Sequence, residues 1–245
     1  MLLRLYHPDH FWMSDDIFGL KPGWVQEFRN LVLAKDLHFK YKIQSRADLL
    51  LEPTTISALA DSGAETVWIG AESGSQKVLD AMDKGITVDQ IRQATVLLRQ
   101  KGLQIGFFLQ FGYLGENLED IEATIRMVLE LIPDELGISV SYPLPGTKFY
   151  DKVKGQLSEK KNWQDSDDLA MMFQGTFGKE YYRQLHRYVH SLYRKKRGFR
   201  NLNKIIKSPL SLNYKELKSG LSALYYIPAT FSQHVRLKKL ETALQ

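Results

Sequence analysis

The sequence of 245 residues is 44% hydrophobic and 25% charged, with a formal net charge of +5, enough apolar content for one substantial core or one domain with an appendage. It contains no cysteine, which excludes disulfides, zinc–thiolate centres and iron–sulfur ligation by its own side chains. No apolar run reaches the roughly 18 residues of a membrane span, and Met1 to His10 lack a signal-peptide pattern, so no membrane span and a cytoplasmic location are expected.

From Asp9 to about Tyr150 one grammar repeats at a period of roughly 30 residues, the length of a βα unit: a short apolar run, a polar or glycine-rich turn, then an amphipathic stretch. The predicted strands are His10 to Met13, His38 to Gln44, Thr66 to Ile69, Gln104 to Phe111 and Leu136 to Val140. Between them, Pro53-Thr54 opens a helix that Gly63 closes, Thr87 caps one that Lys101-Gly102 ends, and Asn117 starts one stopped by Pro133. Strands alternating with helices predict a parallel sheet.

Beyond about Asp165 the grammar changes. A helix is predicted from about Lys179 to Arg197, with Tyr182, Leu185, Val189 and Leu192 on one stripe and Arg183, Arg187 and Arg194 off it. Residues 198 to 245 look helical. Charge also changes: residues 1 to 180 hold 19 Lys and Arg against 26 Asp and Glu, whereas residues 181 to 245 hold 14 against 2, a surplus of +12. Such a tail can meet nucleic acid, an acidic membrane surface or the acidic first part of the chain; its helix-like pattern favours the last, or a merely solvated face, over the other two.

In parallel α/β folds ligands bind at the carboxyl ends of strands, so the loops there are where function is sought. Five can be read: Ser14-Asp15-Asp16, Ser45 to Asp48, Gly70 to Ser75, Phe111 to Asn117 and Ser141 to Thr147. Each has a structural explanation by itself. Ser, Asp and Asn cap helices, glycine permits tight turns, and Glu72 can pair with Lys77 or Lys84. Repetition of acids, an arginine and exposed amides at five strand ends points instead to a ligand with amine, carboxylate, hydroxyl and ring edges.

Other sites are dismissed on spacing. The glycines from Gly70 to Gly74 lack the dinucleotide fingerprint, and no Walker-type Gly-Lys-Ser/Thr occurs. His186 and His190 stand four apart without the glutamate of a zinc-protease motif, and His7 and His10 flank Pro8 at the wrong end of a strand, so no metal site is expected.

Four stretches together resemble the radical S-adenosylmethionine (radical SAM) enzymes, in particular the group associated with cobalamin-binding domains that includes the anaerobic magnesium-protoporphyrin ester cyclases. They are His10 to Phe18 (HFWMSDDIF), Trp68 to Gln76 (WIGAESGSQ) running on to Leu79 to Lys84 (LDAMDK), Gly106 to Glu116 (GFFLQFGYLGE) and Tyr142 to Thr147 (YPLPGT). The likeness spans about Tyr6 to Gln156, and Asp168 to Phe173 with the following helix resembles the family's C-terminal extension.

The resemblance implies a partial parallel (β/α)6 TIM-like barrel lacking its first βα unit, with strands two to six in residues 1–165 and a basic helical extension in 166–245. By position, Asp15 and Asp16 would meet the methionine ammonium of S-adenosylmethionine, and Arg46 its carboxylate. Glu72, Ser73 and Gly74 would lie near the ribose, and Gly106, Gly112, Gly115, Glu116, Ser141 and Tyr142 on the adenine side, the last two through their backbone. Leu114 departs from the proline common there. Complete members use a three-cysteine [4Fe-4S] cluster to generate a deoxyadenosyl radical. This chain lacks those cysteines, so it is expected to be N-terminally truncated and inactive alone. Cobalamin would bind only through an absent N-terminal domain, a small-molecule substrate is implied, and the open sheet edge predicts poor solubility or self-association. A non-catalytic barrel serving as a binding or partner module is the alternative.

Overall fold

The computed structural model describes residues 1–157, 172–207 and 214–242. The Asp168 to Met171 part of the extension motif lies outside them.

In chain order the elements are α1 (Leu2–Tyr6), β1 (Phe11–Trp12), α2 (Trp24–Ala34), β2 (Tyr41–Ser45), α3 (Ala47–Leu50), α4 (Thr55–Asp61), β3 (Ala64–Glu72), α5 (Gln76–Ala81), α6 (Val88–Gln100), β4 (Gln104–Phe111), α7 (Leu118–Leu131), β5 (Glu135–Val140), α8 (Lys148–Val153), α9 (Lys179–Lys207) and α10 (Tyr214–Thr242). The five strands form one sheet in sequential order, and β1/β2, β2/β3 and β3/β4 pair in parallel. This is the expected partial TIM-like barrel with a helical C-terminal extension.

The chain divides into two compact units, Met1–Leu109 with Pro133–Gly137, and Gln110–Ile132 with Ile138–Gln245. In the first, the alternation of strand side chains sorts the sheet into two unlike faces. Ile43, Val67, Ile69, Ile105 and Phe107 are fully buried on one face. On the other, Lys42, Gln44, Gly70 and Phe108 are half-buried, whereas Thr66 and Trp68 are buried there too. Tyr41 seals the buried face. Its hydroxyl shares a 2.7 Å hydrogen bond with Ser62 Oγ, and burial pushes its pKa up to about 12. Ile105 N–H is held by the Asp134 carboxylate at 3.0 Å, and Asp134 N–H by the Ile105 carbonyl at 2.7 Å, which fixes the start of β5 beside β4.

Among the described residues, the regular elements of the second unit are helices and the ends of β4 and β5. Helix α7 starts on a reciprocal capping box in which Asn117 accepts from Asp120 N–H and Asp120 accepts from Asn117 N–H. Helix α9 buries Tyr182, Leu185 and Val189 as its stripe predicts, with Tyr181 and Tyr193 joining them and Leu192 only half-buried. It runs ten residues beyond the expected Arg197. Gly198 does not end it, because a Cβ there would stand 2.7 Å from Ala223 Cβ and 2.8 Å from the Ser219 carbonyl of α10. The glycine permits a close helix crossing instead of a stop.

Candidate functional site

In the first unit, β1 ends two residues before Ser14, and the loop carrying Asp15 and Asp16 is tied back to β2. Phe18 N–H donates to the Gln44 carbonyl at 2.8 Å and Ser45 Oγ donates to the Phe18 carbonyl at 3.0 Å. Both aspartates are exposed on the tethered loop. Capping does not explain them, because α2 begins at Trp24 with Gly23 as its N-cap and no side-chain cap.

Arg46 follows β2 directly as the N-cap residue of α3. Its guanidinium is engaged two-pronged by Asp48, Nε to Oδ1 at 3.0 Å and Nη2 to Oδ2 at 2.9 Å, so the structure supplies its carboxylate from within the same loop.

Sequence reading begins the third loop at Gly70, but β3 continues through Glu72. The pairing with β4 slips between Gly70 and Glu72, so Ala71 is the extra residue of a bulge. Glu72 sits there at φ +55°, a left-handed conformation costly for a residue with a Cβ. The bulge turns the Glu72 carboxylate back along the strand, where a Cβ on Gly70 would stand 3.1 Å from Glu72 Oε1. Oε1 accepts from Lys84 Nζ at 2.9 Å, the lysine pair anticipated as one of two. Oε2 is buried and has no hydrogen-bond partner among the described residues. Ser73 is fully buried, and its Oγ accepts from Ser75 N–H at 3.1 Å, shaping the Ser73-Gly74-Ser75 turn that leads into α5.

Gly106 lies inside β4, not at its carboxyl end. A Cβ there would stand 2.3 Å from the Trp68 indole, which crosses the strand at this point and stacks on Phe108 with ring centroids 4.4 Å apart. The pairing of Trp68 with Gly106 therefore accounts for this glycine locally. The indole Nε1–H is buried without a partner among the described residues, a donor that sequence reading did not single out.

In the second unit, Gly112 and Gly115 take φ +81° and +80°, where a side chain would be strained. The loop between them closes on Glu116, whose Oε2 accepts Gly112 N–H at 2.6 Å and whose carbonyl accepts from Thr176 Oγ1 at 2.7 Å. Glu116 is buried, and its negative charge adds to burial in holding the Tyr182 hydroxyl protonated. Ser141 N–H donates to the Phe111 carbonyl at 2.8 Å, so that amide is spent on extending the strand pair. The Ser141 hydroxyl is buried without a partner among the described residues, whereas Tyr142 is partly exposed. The Ser141 N–H is thus engaged within the chain, whereas its hydroxyl is not.

Sequence profiles decide what kind of protein presents these loops: that of the radical SAM superfamily matches residues 4–128, just over half of the chain. The chain belongs to the radical SAM superfamily. Among relatives in this superfamily, an uncharacterized methyltransferase of Pyrococcus horikoshii is 28% identical over 151 residues, covering 61% of this chain and 32% of that protein. The anaerobic magnesium-protoporphyrin IX monomethyl ester cyclase of Rubrivivax gelatinosus is 27% identical over 168 residues, covering 66% and 30%. The chain thus spans about a third of the length of the curated relatives it matches. The fold resembles that of OxsB, a cobalamin-dependent S-adenosylmethionine radical enzyme solved with aqua-cobalamin and S-adenosylmethionine, at a TM-score of 0.56 and 17% identity over 94% of this chain and 40% of that one. It also resembles the radical S-adenosylmethionine methyltransferase TsrM of Kitasatospora setae, at a TM-score of 0.50 and 18% identity over 58% and 29%. Among the described residues no helix is long and apolar enough to cross a membrane.

Proposed function

We propose that this chain is the S-adenosylmethionine-binding portion of a radical SAM enzyme of methyltransferase or cyclase type acting on a small molecule, with residues 1–165 as its barrel core and 166–245 as its extension. The observation that carries the reading is Glu72. A buried carboxylate oxygen with no donor is costly, and a bound hydroxyl removes that cost. The ribose of S-adenosylmethionine supplies two hydroxyls, and Ser73 and Gly74 form the turn beside them. Asp15 and Asp16 hold the ammonium, and Arg46 shares its guanidinium between Asp48 and the methionine carboxylate.

When bound, the family's [4Fe-4S] cluster supplies the electron that cleaves S-adenosylmethionine. Its thiolates would have to come from outside these 245 residues, which contain no cysteine. Cobalamin enters the reading only through relatives in which it is named. The alternative, a non-catalytic barrel that binds a ligand or partner, draws on the same lack of cysteine. It is separated by asking whether the intact gene still functions with Glu72→Ala.

Calorimetric titration of S-adenosylmethionine into the chain tests the site. Glu72→Gln is expected to weaken binding about 10- to 100-fold, since a hydrogen bond to a charged group contributes about 1.5–3 kcal/mol. Lys84→Met, which leaves the carboxylate in place, is expected to weaken it less. No binding by the wild-type chain, or equal affinity in Glu72→Gln, overturns the reading.

A further inference from the structure

Helix α10 has two faces. Its inner face packs on α9 through the buried Ala223, Thr230 and Leu237, with Gln184 Nε2 donating to the Gln233 carbonyl at 2.9 Å and Arg194 donating to Tyr226 OH at 2.9 Å. Its outer face carries Tyr214, Leu217, Leu221, Leu224, Phe231 and Val235, 38–77% exposed. These residues, with Pro228 filling the one gap, follow each other at alternating intervals of three and four, the spacing that keeps side chains on one helical stripe. Tyr225 and Ile227, 70% and 45% exposed, widen the stripe to about 160° at 100° per residue.

The middle of the stripe is uncharged, and basic residues flank it on both sides. No Lys, Arg, Asp or Glu occurs from Ser219 to Gln233, while Lys218 precedes that stretch and Arg236 and Lys239 follow it. Residues 181 to 245 carry 14 Lys and Arg against 2 Asp and Glu.

We infer that the outer face of α10 seats this unit on an anionic lipid surface, with the stripe at the boundary between headgroups and acyl chains and the basic ends among the headgroups. The chemistry is that of an interfacial helix, in which exposed leucines and aromatic rings enter the boundary and cations draw in acidic lipids. A second copy of the chain is the poorer occupant, because pairing two such faces would bring two strongly basic regions together. A partner helix is also poorer. The stripe is wider than the two-in-seven seam of a two-stranded coil, and Pro228 stands within it, removing the amide that would bond the Leu224 carbonyl. A lipid plane accepts a wide convex ridge without needing a complementary groove.

Sedimentation of the full 245-residue chain with phosphatidylcholine vesicles, with and without phosphatidylglycerol, tests this. Binding is expected only with phosphatidylglycerol, weakening as salt is added. Leu221→Ser, Leu224→Ser and Phe231→Ser combined are expected to reduce the partition coefficient at least tenfold, with helix content by circular dichroism unchanged because these side chains are exposed. Lys218→Gln, Arg236→Gln and Lys239→Gln combined are expected to flatten the salt dependence. No binding to the anionic vesicles, or binding that survives the triple serine change, overturns the inference. So does sedimentation velocity showing a dimer that the serine changes dissociate.

Discussion

At the scale of single residues, Gly106 shows how a position that resembles a ligand-loop glycine is explained by its neighbour. A methyl group there would stand 2.3 Å from a Trp68 ring pinned by its stack on Phe108. Gly106→Ala is expected to destabilise the fold by about 1–3 kcal/mol, the usual cost of overpacking, seen as a lower thermal midpoint. His190 offers a second test. Burial, then the charges of His186 and Arg194, depress its pKa from 6.5 to about 4. The His186 ring lies 4.4 Å away, and its own pKa is lowered by burial and by Arg187 and Arg194. A depressed folded-state pKa means stability that is complete above about pH 6.5 and is lost as pH falls toward 4. Replacing the ring by an uncharged group removes that term. His190→Gln is therefore expected to flatten the acid limb of the stability profile between those pH values, measured by urea unfolding at each pH.

At the scale of elements, the local signals read directly. Thr87 and Asn117 each head a reciprocal capping box. Asn117→Ala is expected to cost about 1 kcal/mol, detectable as a lower urea midpoint at unchanged slope. The ends of α4, α6 and α7 were legible because caps, glycines and prolines act on their own neighbours. The carboxyl end of β3 and the end of α9 were not. The bulge at Ala71 exists because β3 and β4 slip in register, and Gly198 stays helical because α10 passes close to it. Both reasons lie on other elements, beyond the reach of a local reading.

At the scale of the whole molecule, the lack of cysteine limits what the chain can do unaided. Reconstitution of the purified chain with iron and sulfide is expected to leave no thiolate-bound cluster absorbance, and a reductant is expected to release no deoxyadenosine from S-adenosylmethionine. Release of deoxyadenosine would show cluster ligands of another kind. The basic surplus in residues 181 to 245 was likewise visible as a count, but its significance depended on which face of α10 the packing against α9 left outside.

The sequence by itself determined the alternation of five strands and their helices, since apolar period, caps and breakers act over a few residues. It also placed the candidate loops at strand ends, because parallel topology dictates where such loops go, and it carried the family in their motifs. Only the tertiary structure decided which groups in those loops remain available. Arg46 was matched to Asp48, Ser141 N–H was spent on Phe111, and Glu72 kept one buried oxygen without a donor after Lys84 took the other. Those outcomes depend on strand register and on distances between atoms brought together by folding, which residue order does not specify.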